Sequence, residues 1–181
     1  MSKLVEKKIS SQTVYKGNFL DVKKDNVVLP NGKNSTRDWI NHPGAVVIVP
    51  ILPNGKIALI RQFRYAMGSE FIELPAGKID KGETPDECAI RELEEEIGFK
   101  TKNLNFIAMI HPAIGFANEN MSLYLATDLV QTNINRDSDE FLELMPTSLE
   151  HALDLVWSNK ITDVKTIIGI LWYQKIYQES K

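Results

Sequence analysis

Hydrophobic and polar positions change their spacing several times along this chain, and each change predicts a different element. Up to about residue 41 short alternating pieces predict strands: Thr13-Val14-Tyr15, Leu20-Asp21-Val22 and residues 25–29, closed by the turn signal Pro30-Asn31-Gly32. The β-branched run from Ala45 to Leu52 reaches Pro53-Asn54-Gly55 and then residues 56–61, which predicts a hairpin with a buried first arm. Residues 71–75 lead through a loop at 76–83 into the strongest helical segment, 85–97. Thr84 is placed to cap that helix, with Pro85 at its first position, Glu87 completing a capping box and Gly98 supplying the stop. Strands are expected over 105–110, 121–126 and 140–144. Two helices, over 148–157 and 162–177, follow from the helical spacing of Leu149, Ala152, Leu153 and Val156, then of Val164, Ile167, Ile168 and Leu171. The pattern predicts an α+β or α/β fold with a mixed sheet, preceded by a small N-terminal antiparallel β-sheet. The boundary falls near His42-Pro43-Gly44, giving an N-terminal region over 1–43 and a main domain over 44–181.

The composition adds limits to this picture. At 181 residues, 43% hydrophobic and 25% charged, the chain is sized for one compact soluble domain with a small extension. A net charge of −3 argues against nucleic acid or an anionic membrane as partner. The charge is unevenly spread: Lys3, Lys7, Lys8, Lys16, Lys23, Lys24, Lys33 and Arg37 outnumber Glu6, Asp21, Asp25 and Asp38 in residues 1–44. Cys88 is the single cysteine, which excludes an intramolecular disulfide and a thiolate zinc site, and its place on a helix points to packing. The first ten residues have no apolar core of a secretory signal, and the apolar run at 45–52 falls far short of the ~20 residues that span a bilayer. A reducing, cytoplasmic setting is the expectation.

The candidate chemistry lies in residues 77–99, GKIDKGETPDECAIRELEEEIGF. On a helix, Glu92, Glu95 and Glu96 fall on one face near its C-terminal half, where they repel one another and oppose the helix dipole. Arg91, four residues before Glu95, offsets part of this, and the loop can bring Glu83 close. Hard oxygen ligands gathered in this way suit Mg²⁺ or Mn²⁺, which bind phosphate oxygens as further ligands. The opposite face, Ala89, Ile90, Leu93 and Ile97, is expected to pack on the sheet.

This segment resembles the Nudix box, G-x5-E-x7-R-E-U-x-E-E-x-G-U with U apolar, at every defined position: Gly77, Glu83, Arg91, Glu92, Leu93, Glu95, Glu96, Gly98 and Phe99. The resemblance to the Nudix hydrolase family implies an α/β/α sandwich and metal-dependent attack of water on a pyrophosphate phosphorus. It assigns metal-binding roles to Glu92, Glu95, Glu96 and the Ala76 carbonyl, and a supporting task to Glu83 and Arg91.

The likeness extends to the branch that hydrolyses ADP-ribose and other nucleoside diphosphate sugars. Its features appear in order: Arg37 ahead of His42-Pro43-Gly44, then Arg61-Gln62-Phe63-Arg64-Tyr65, Glu73-Leu74-Pro75-Ala76-Gly77, and Pro112 in the segment at 111–119. Ala113-Ile114 departs from the branch, where Ser-Pro is common. By this resemblance Glu119 corresponds to a general base or metal-linked carboxylate, Arg64 to a diphosphate contact, and Arg37 to a residue near the nucleoside. Arg61, a third guanidinium fork, suits phosphate oxygens, and Phe19 and Trp39 are candidates to stack on the base. Related enzymes exchange the N-terminal sheet across a two-fold axis, which implies a homodimer. ADP-ribose, giving AMP and ribose 5-phosphate, is the expected substrate, with GDP-mannose and similar sugars also accommodated. The alternatives are another nucleotide, such as a dinucleoside polyphosphate or a nucleoside triphosphate, or a non-catalytic nucleotide-sugar sensor.

Overall fold

The computed structural model describes residues 3–133 and 141–179, in two compact units. The first contains the chain up to Gly44 together with Ala113–Glu119. Three antiparallel strands, β1 (Lys7–Lys16), β2 (Asp21–Val28) and β3 (Asn34–Ile40), form a sheet in the order β1-β2-β3. The strands are longer than the alternation suggested, because β2 runs straight through the polar stretch Lys23-Lys24-Asp25 that seemed to divide it. Gly32 closes the β2–β3 turn with a positive φ of 84° and a 2.9 Å bond to the Leu29 carbonyl. Segment 113–119 attaches through a parallel bridge between Ile40 and Ala117. All ten residues of β1 are exposed, and among the described side chains of this unit only Asp25 and Val27 are buried.

The second unit holds Ala45–Pro112 and Asn120–Lys181. At its centre lies β4 (Ala45–Pro50), with all six residues buried. It pairs antiparallel with β7 (Ala76–Lys78) and parallel with β9 (Met121–Gln131), and β8 (Phe99–Ile110) pairs antiparallel with β9, giving the mixed order β7-β4-β9-β8. A second antiparallel sheet has the order β10-β5-β6, from Leu142–Thr147, Ile57–Arg64 and Ser69–Glu73.

The period-2 alternation of these strands divides the core in two. Ala45, Val47, Val49, Ile57 and Leu59 pack with Ala152 and Val156 of α2 (Leu149–Trp157) and with Ile170 and Tyr173 of α3 (Val164–Glu179). Val46, Ile48, Ala58 and Ile60 pack with Ala89, Leu93 and Ile97 of α1 (Pro85–Ile97). Helices thus cover both faces of the strands, which is the expected α/β/α sandwich.

Two expectations are corrected. The chain does turn at Pro53-Asn54-Gly55, where Gly55 takes a φ of 78°, but β4 and β5 do not form a hairpin; an isolated Ile51–Ile57 bridge and a 2.9 Å bond from the Leu52 N–H to the Lys56 carbonyl join them before they enter different sheets. Both edges of β4 are already occupied, by β7 and β9, so β5 finds its partners elsewhere. On α1, Ile90 is 41% exposed and not part of the packed face. The buried stripe is Cys88, Ala89, Glu92, Leu93, Glu96 and Ile97, so two carboxylates share the apolar face. The strand expected at 140–144 is observed as β10, from Leu142, and Glu140 lies outside the described residues.

Gly169 sits in α3 where a Cβ would stand 2.3 Å from Leu74 Cδ1 and 3.2 Å from Val49 Cγ2, both fully buried residues. Alanine at an open helical position gains about 1 kcal/mol over glycine. Here overpacking, at about 1–3 kcal/mol, opposes that gain and exceeds it. Gly169→Ala is therefore expected to lower the urea midpoint; an unchanged or raised midpoint would show that Leu74 can move aside.

Candidate active site

Helix α1 starts where its local sequence requires. Thr84 Oγ1 accepts the Glu87 N–H at 3.3 Å while the Glu87 carboxylate accepts the Thr84 N–H at 2.9 Å, a complete capping box, with Pro85 following. It ends at Gly98, left-handed at φ 72°, and β8 begins at the next residue. These stops fix the rotation of the helix, and with it the direction of its glutamates.

One guanidinium gathers three of the carboxylates. Arg91 donates from Nε to Glu83 Oε1 (2.8 Å) and from Nη2 to Glu83 Oε2 (3.0 Å), a bidentate pair. Its Nη1 donates to Glu92 Oε1 (2.7 Å) and to Glu95 Oε2 (2.8 Å). Nη2 reaches the Lys78 carbonyl at 3.1 Å as well, which ties the helix to the loop before it. Hydrogen bonds from Arg91 hold the Glu83 carboxyl down at about 2 against the opposing effect of burial, and the Asp80 N–H adds to this. The same partners, Glu83 first, push the Arg91 pKa upward.

Glu92 and Glu96, at 7% and 4% exposure, lie deeper. The Ala76 N–H donates to Glu96 Oε2 at 3.2 Å. A Cβ on Gly77 would stand only 1.7 Å from Glu92 Oε1, so the glycine leaves the room that the Glu92 carboxylate occupies against the backbone. Of the four glutamates here, Glu83, Glu92 and Glu95 meet the guanidinium of Arg91. Among the described residues no three acidic, histidine or cysteine side chains converge as a closed metal cage, since Arg91 stands between Glu83, Glu92 and Glu95. The donor set nevertheless fits a divalent cation: the ligands are hard oxygens, their charge exceeds that of Arg91, and the Gly77 cradle holds one of them at the Ala76–Gly77 backbone. Cys88 is fully buried, with its thiol pushed up to about 12 chiefly by burial, so it packs and does not act as a nucleophile.

The remaining candidates are distributed as follows. Arg64 makes a bidentate pair with Glu73, and the Glu96 charge also bears on it. Arg61 is paired with Glu143 and lies 3.7 Å from Glu70. Pro112 is exposed. In the first unit, Arg37 is paired with Glu6 and donates to the Thr36 carbonyl at 2.8 Å. Trp39 is half-buried on β3. Phe19, 49% exposed, meets the His42 ring edge-on with centroids 5.5 Å apart, and His42 Nε2 lies 3.6 Å from Glu119 Oε1. His42 therefore lies beside two candidate residues.

Sequence reading also missed Lys165, Asp163 and Thr166, and gave Glu73 no task of its own. An available signal was the Asp163-x-Lys165-Thr166 string at a helix start, where the aspartate is a cap and the lysine falls on the buried side.

Comparison with known proteins is consistent with this arrangement. Residues 41–164 match the NUDIX domain, and residues 6–40 match the nucleoside diphosphate sugar hydrolase N-terminal domain. An ADP-ribose pyrophosphatase of Bacillus subtilis (strain 168) is 41% identical over 176 residues, covering 96% of this chain and 95% of that protein. A methanol dehydrogenase activator of Bacillus methanolicus is 36% identical over 177 residues, with 96% of each chain covered. A crystal structure of an ADP compounds hydrolase superposes with a TM-score of 0.88 at 24% identity, covering 99% of this chain and 98% of that one, a likeness of fold.

The lowered Glu83 pKa makes the Arg91 hub sensitive to acid. A carboxyl depressed from 4.5 to about 2 contributes stability that is complete above pH 4.5 and is lost as pH falls toward about 2. In urea titrations the stability gap between the unaltered protein and Glu83→Gln should be full at pH 7 and narrow between pH 4.5 and 2. A gap independent of pH over that window would mean that the Arg91–Glu83 pair contributes nothing.

Proposed function

We propose that this chain, which belongs to the Nudix domain family, hydrolyses the diphosphate bridge of nucleoside diphosphate sugars, with ADP-ribose as the main substrate and AMP and ribose 5-phosphate as products. The observation that carries the reading is the Arg91 hub, which gathers and orients Glu83, Glu92 and Glu95, with Glu92 lying against the Gly77 backbone. A sensor that had given up hydrolysis would have no need to hold these like charges together.

Nudix hydrolases generally depend on a divalent metal. In this reading Glu92, Glu95, Glu96 and the Ala76 carbonyl would hold Mg²⁺, or Mn²⁺ in its place, and when bound the cation would supply neutralisation of the diphosphate charge and a lowered pKa for water. The protein's own side chains do the rest. Arg91 and Glu83 keep the carboxylates in place, and the absence of a side chain on Gly77 lets the Glu92 carboxylate lie against the backbone. Arg64 and Arg61 are assigned to phosphate oxygens, Arg37 to the nucleoside, and Phe19 and Trp39 to stacking on the base. Pro112 stiffens the start of the segment that carries Glu119. As the water oxygen bonds to phosphorus and the bridging P–O bond breaks, Glu119 takes up the water's proton. His42 Nε2, 3.6 Å from Glu119 Oε1, is close enough to orient that carboxylate.

The fully exposed β1, with Ile9, Val14 and Tyr15 all more than half exposed, supports a homodimer in which the N-terminal sheets are exchanged. No helix among the described residues is long and apolar enough to cross a membrane.

Three measurements test the reading. Product formation from ADP-ribose, ADP-glucose, GDP-mannose and UDP-glucose, compared by kcat/KM with Mg²⁺ and after chelation, should favour ADP-ribose and vanish with chelator; Glu96→Gln should abolish turnover and leave the fold intact. Glu119→Gln should lower kcat by on the order of 10² to 10⁴ with KM nearly unchanged, and retention of full turnover would remove Glu119 from the mechanism. Sedimentation at assay concentration should show a dimer; an active monomer would reject the exchanged sheet.

A further inference from the structure

A second charge cluster of the larger unit surrounds Arg64 with residues given no part in this reaction. Glu73, at the end of β6, is 2% exposed, and Lys165, in the first turn of α3, is 7% exposed. Glu73 accepts two hydrogen bonds from Arg64, Nε to Oε1 and Nη2 to Oε2, each 2.6 Å, and a third from Lys165 Nζ to Oε2. Lys165 Nζ also donates to Asp163 Oδ2 at 2.9 Å. The same Asp163 oxygen caps α3, accepting the Thr166 N–H at 3.0 Å and the Thr166 hydroxyl. Thr166 Oγ1 in turn accepts the Leu74 N–H at 2.8 Å. The backbone that runs on to Ala76 and Gly77 is therefore tied to α3 beside Glu73. A cavity of about 200 Å³ is lined by Arg64, Met67, Phe71, Glu73, Asp163 and Lys165.

The charges decide what this cluster does. A carboxylate in bidentate contact with a guanidinium cancels much of what that guanidinium offers a third party. Arg64 and Glu73 alone would make a closed pair of little use to an anion. Lys165 changes the balance, because the single charge of Glu73 is now divided between two cations. Asp163 does not restore the deficit, since its charge is taken up by the N-terminal turn of α3 and the Thr166 hydroxyl as well. Burial would push the Glu73 carboxyl up, but the Arg64 hydrogen bonds and the Lys165 charge outweigh it and hold Glu73 below its ordinary value. The guanidinium of Arg64 is thus fixed in plane by an ionised partner while its side chain stays 44% exposed, and neither bond to Glu73 uses Nη1.

We infer that Glu73 and Lys165 are positioning residues for the diphosphate: Glu73 sets the plane of the Arg64 guanidinium, and Lys165 balances the Glu73 charge so that Arg64 keeps its cationic character toward phosphate oxygens. This rests on the reading that Arg64 contacts the substrate diphosphate.

The test separates charge balance from structural support. Lys165→Met removes the ammonium and keeps an unbranched stem; it should raise KM for ADP-ribose, and the Kd for inorganic diphosphate with Mg²⁺, by about tenfold, with kcat nearly unchanged. Lys165→Arg should leave both constants near those of the unaltered enzyme. The double variant Glu73→Gln/Lys165→Met removes one charge of each sign while an amide oxygen still accepts from Arg64, so it should recover most of the lost affinity. A single variant with unchanged constants, or a double variant no better than the single one, overturns the inference; purely structural support would lower the melting temperature and kcat with no recovery in the double. Should Lys165→Met not fold, Lys165→Gln serves the same comparison. Failure of the unaltered enzyme to cleave ADP-ribose would overturn the substrate reading instead, and the diphosphate Kd would still decide the roles of Lys165 and Glu73.

Discussion

Like-charge repulsion on helix α1 is the constraint around which the larger unit is arranged. Glu92, Glu95 and Glu96 lie three and four residues apart or adjacent, toward a C-terminus whose dipole disfavours them, and two of the three are buried. No gain in packing explains such a helix. What holds it is a single guanidinium, itself fixed from outside the helix by Glu83 and the Lys78 carbonyl. Removing one partner from a buried charge set is costly because the others are then left uncompensated. The capping box, the αL glycine and the loop glycine can all be read as devices that keep this one arrangement in register.

The second cluster uses the same physics at longer range. On α1 the cation is surrounded by anions; around Glu73 an anion is surrounded by cations. The two are linked through the short path from Glu73 across Leu74 and Pro75 to β7, whose Ala76 N–H meets Glu96. The Pro75 carbonyl accepts the Ile48 N–H at 2.9 Å, which pins that path to the central strand. Opposite charge patterns thus sit at the two ends of a four-residue connection with little freedom to move.

How much of this was visible beforehand follows from range. The α1 caps and the glutamate spacing depend on residues within one or two turns, and they were legible to the residue. The burial of β4 was legible too, because the run from Ala45 to Leu52 is apolar without a break; which side chain faces which helix was not, since such a run gives both faces the same character. Ile90 was misplaced because a periodic pattern counts apolar residues and could not anticipate that Glu92 and Glu96 would take up part of the buried stripe. The hairpin failed for a similar reason: the turn at Pro53-Asn54-Gly55 is real, but strand partners are decided by edges that β7 and β9 occupy from far along the chain. Glu73 and Lys165 are 92 residues apart, and only the folded sheet and helix bring a buried lysine to a buried glutamate. Arg64 was expected to contact phosphate, but without its acidic partner, since no local rule pairs the two.

The central position of β4 also bears on how the protein is made. Its parallel neighbour, β9, begins at Met121, so the pairing Ala45↔Met121 cannot form until most of the chain has left the ribosome. Until then the run from Ala45 to Leu52, apolar, β-branched and uncharged, has only the three-residue strand β7 to cover one edge. Non-local pairing of this kind closes slowly, and an open apolar strand is the kind of segment that joins its copies on neighbouring chains. The strand that gives the finished molecule its most completely buried core is, during synthesis, its greatest aggregation hazard.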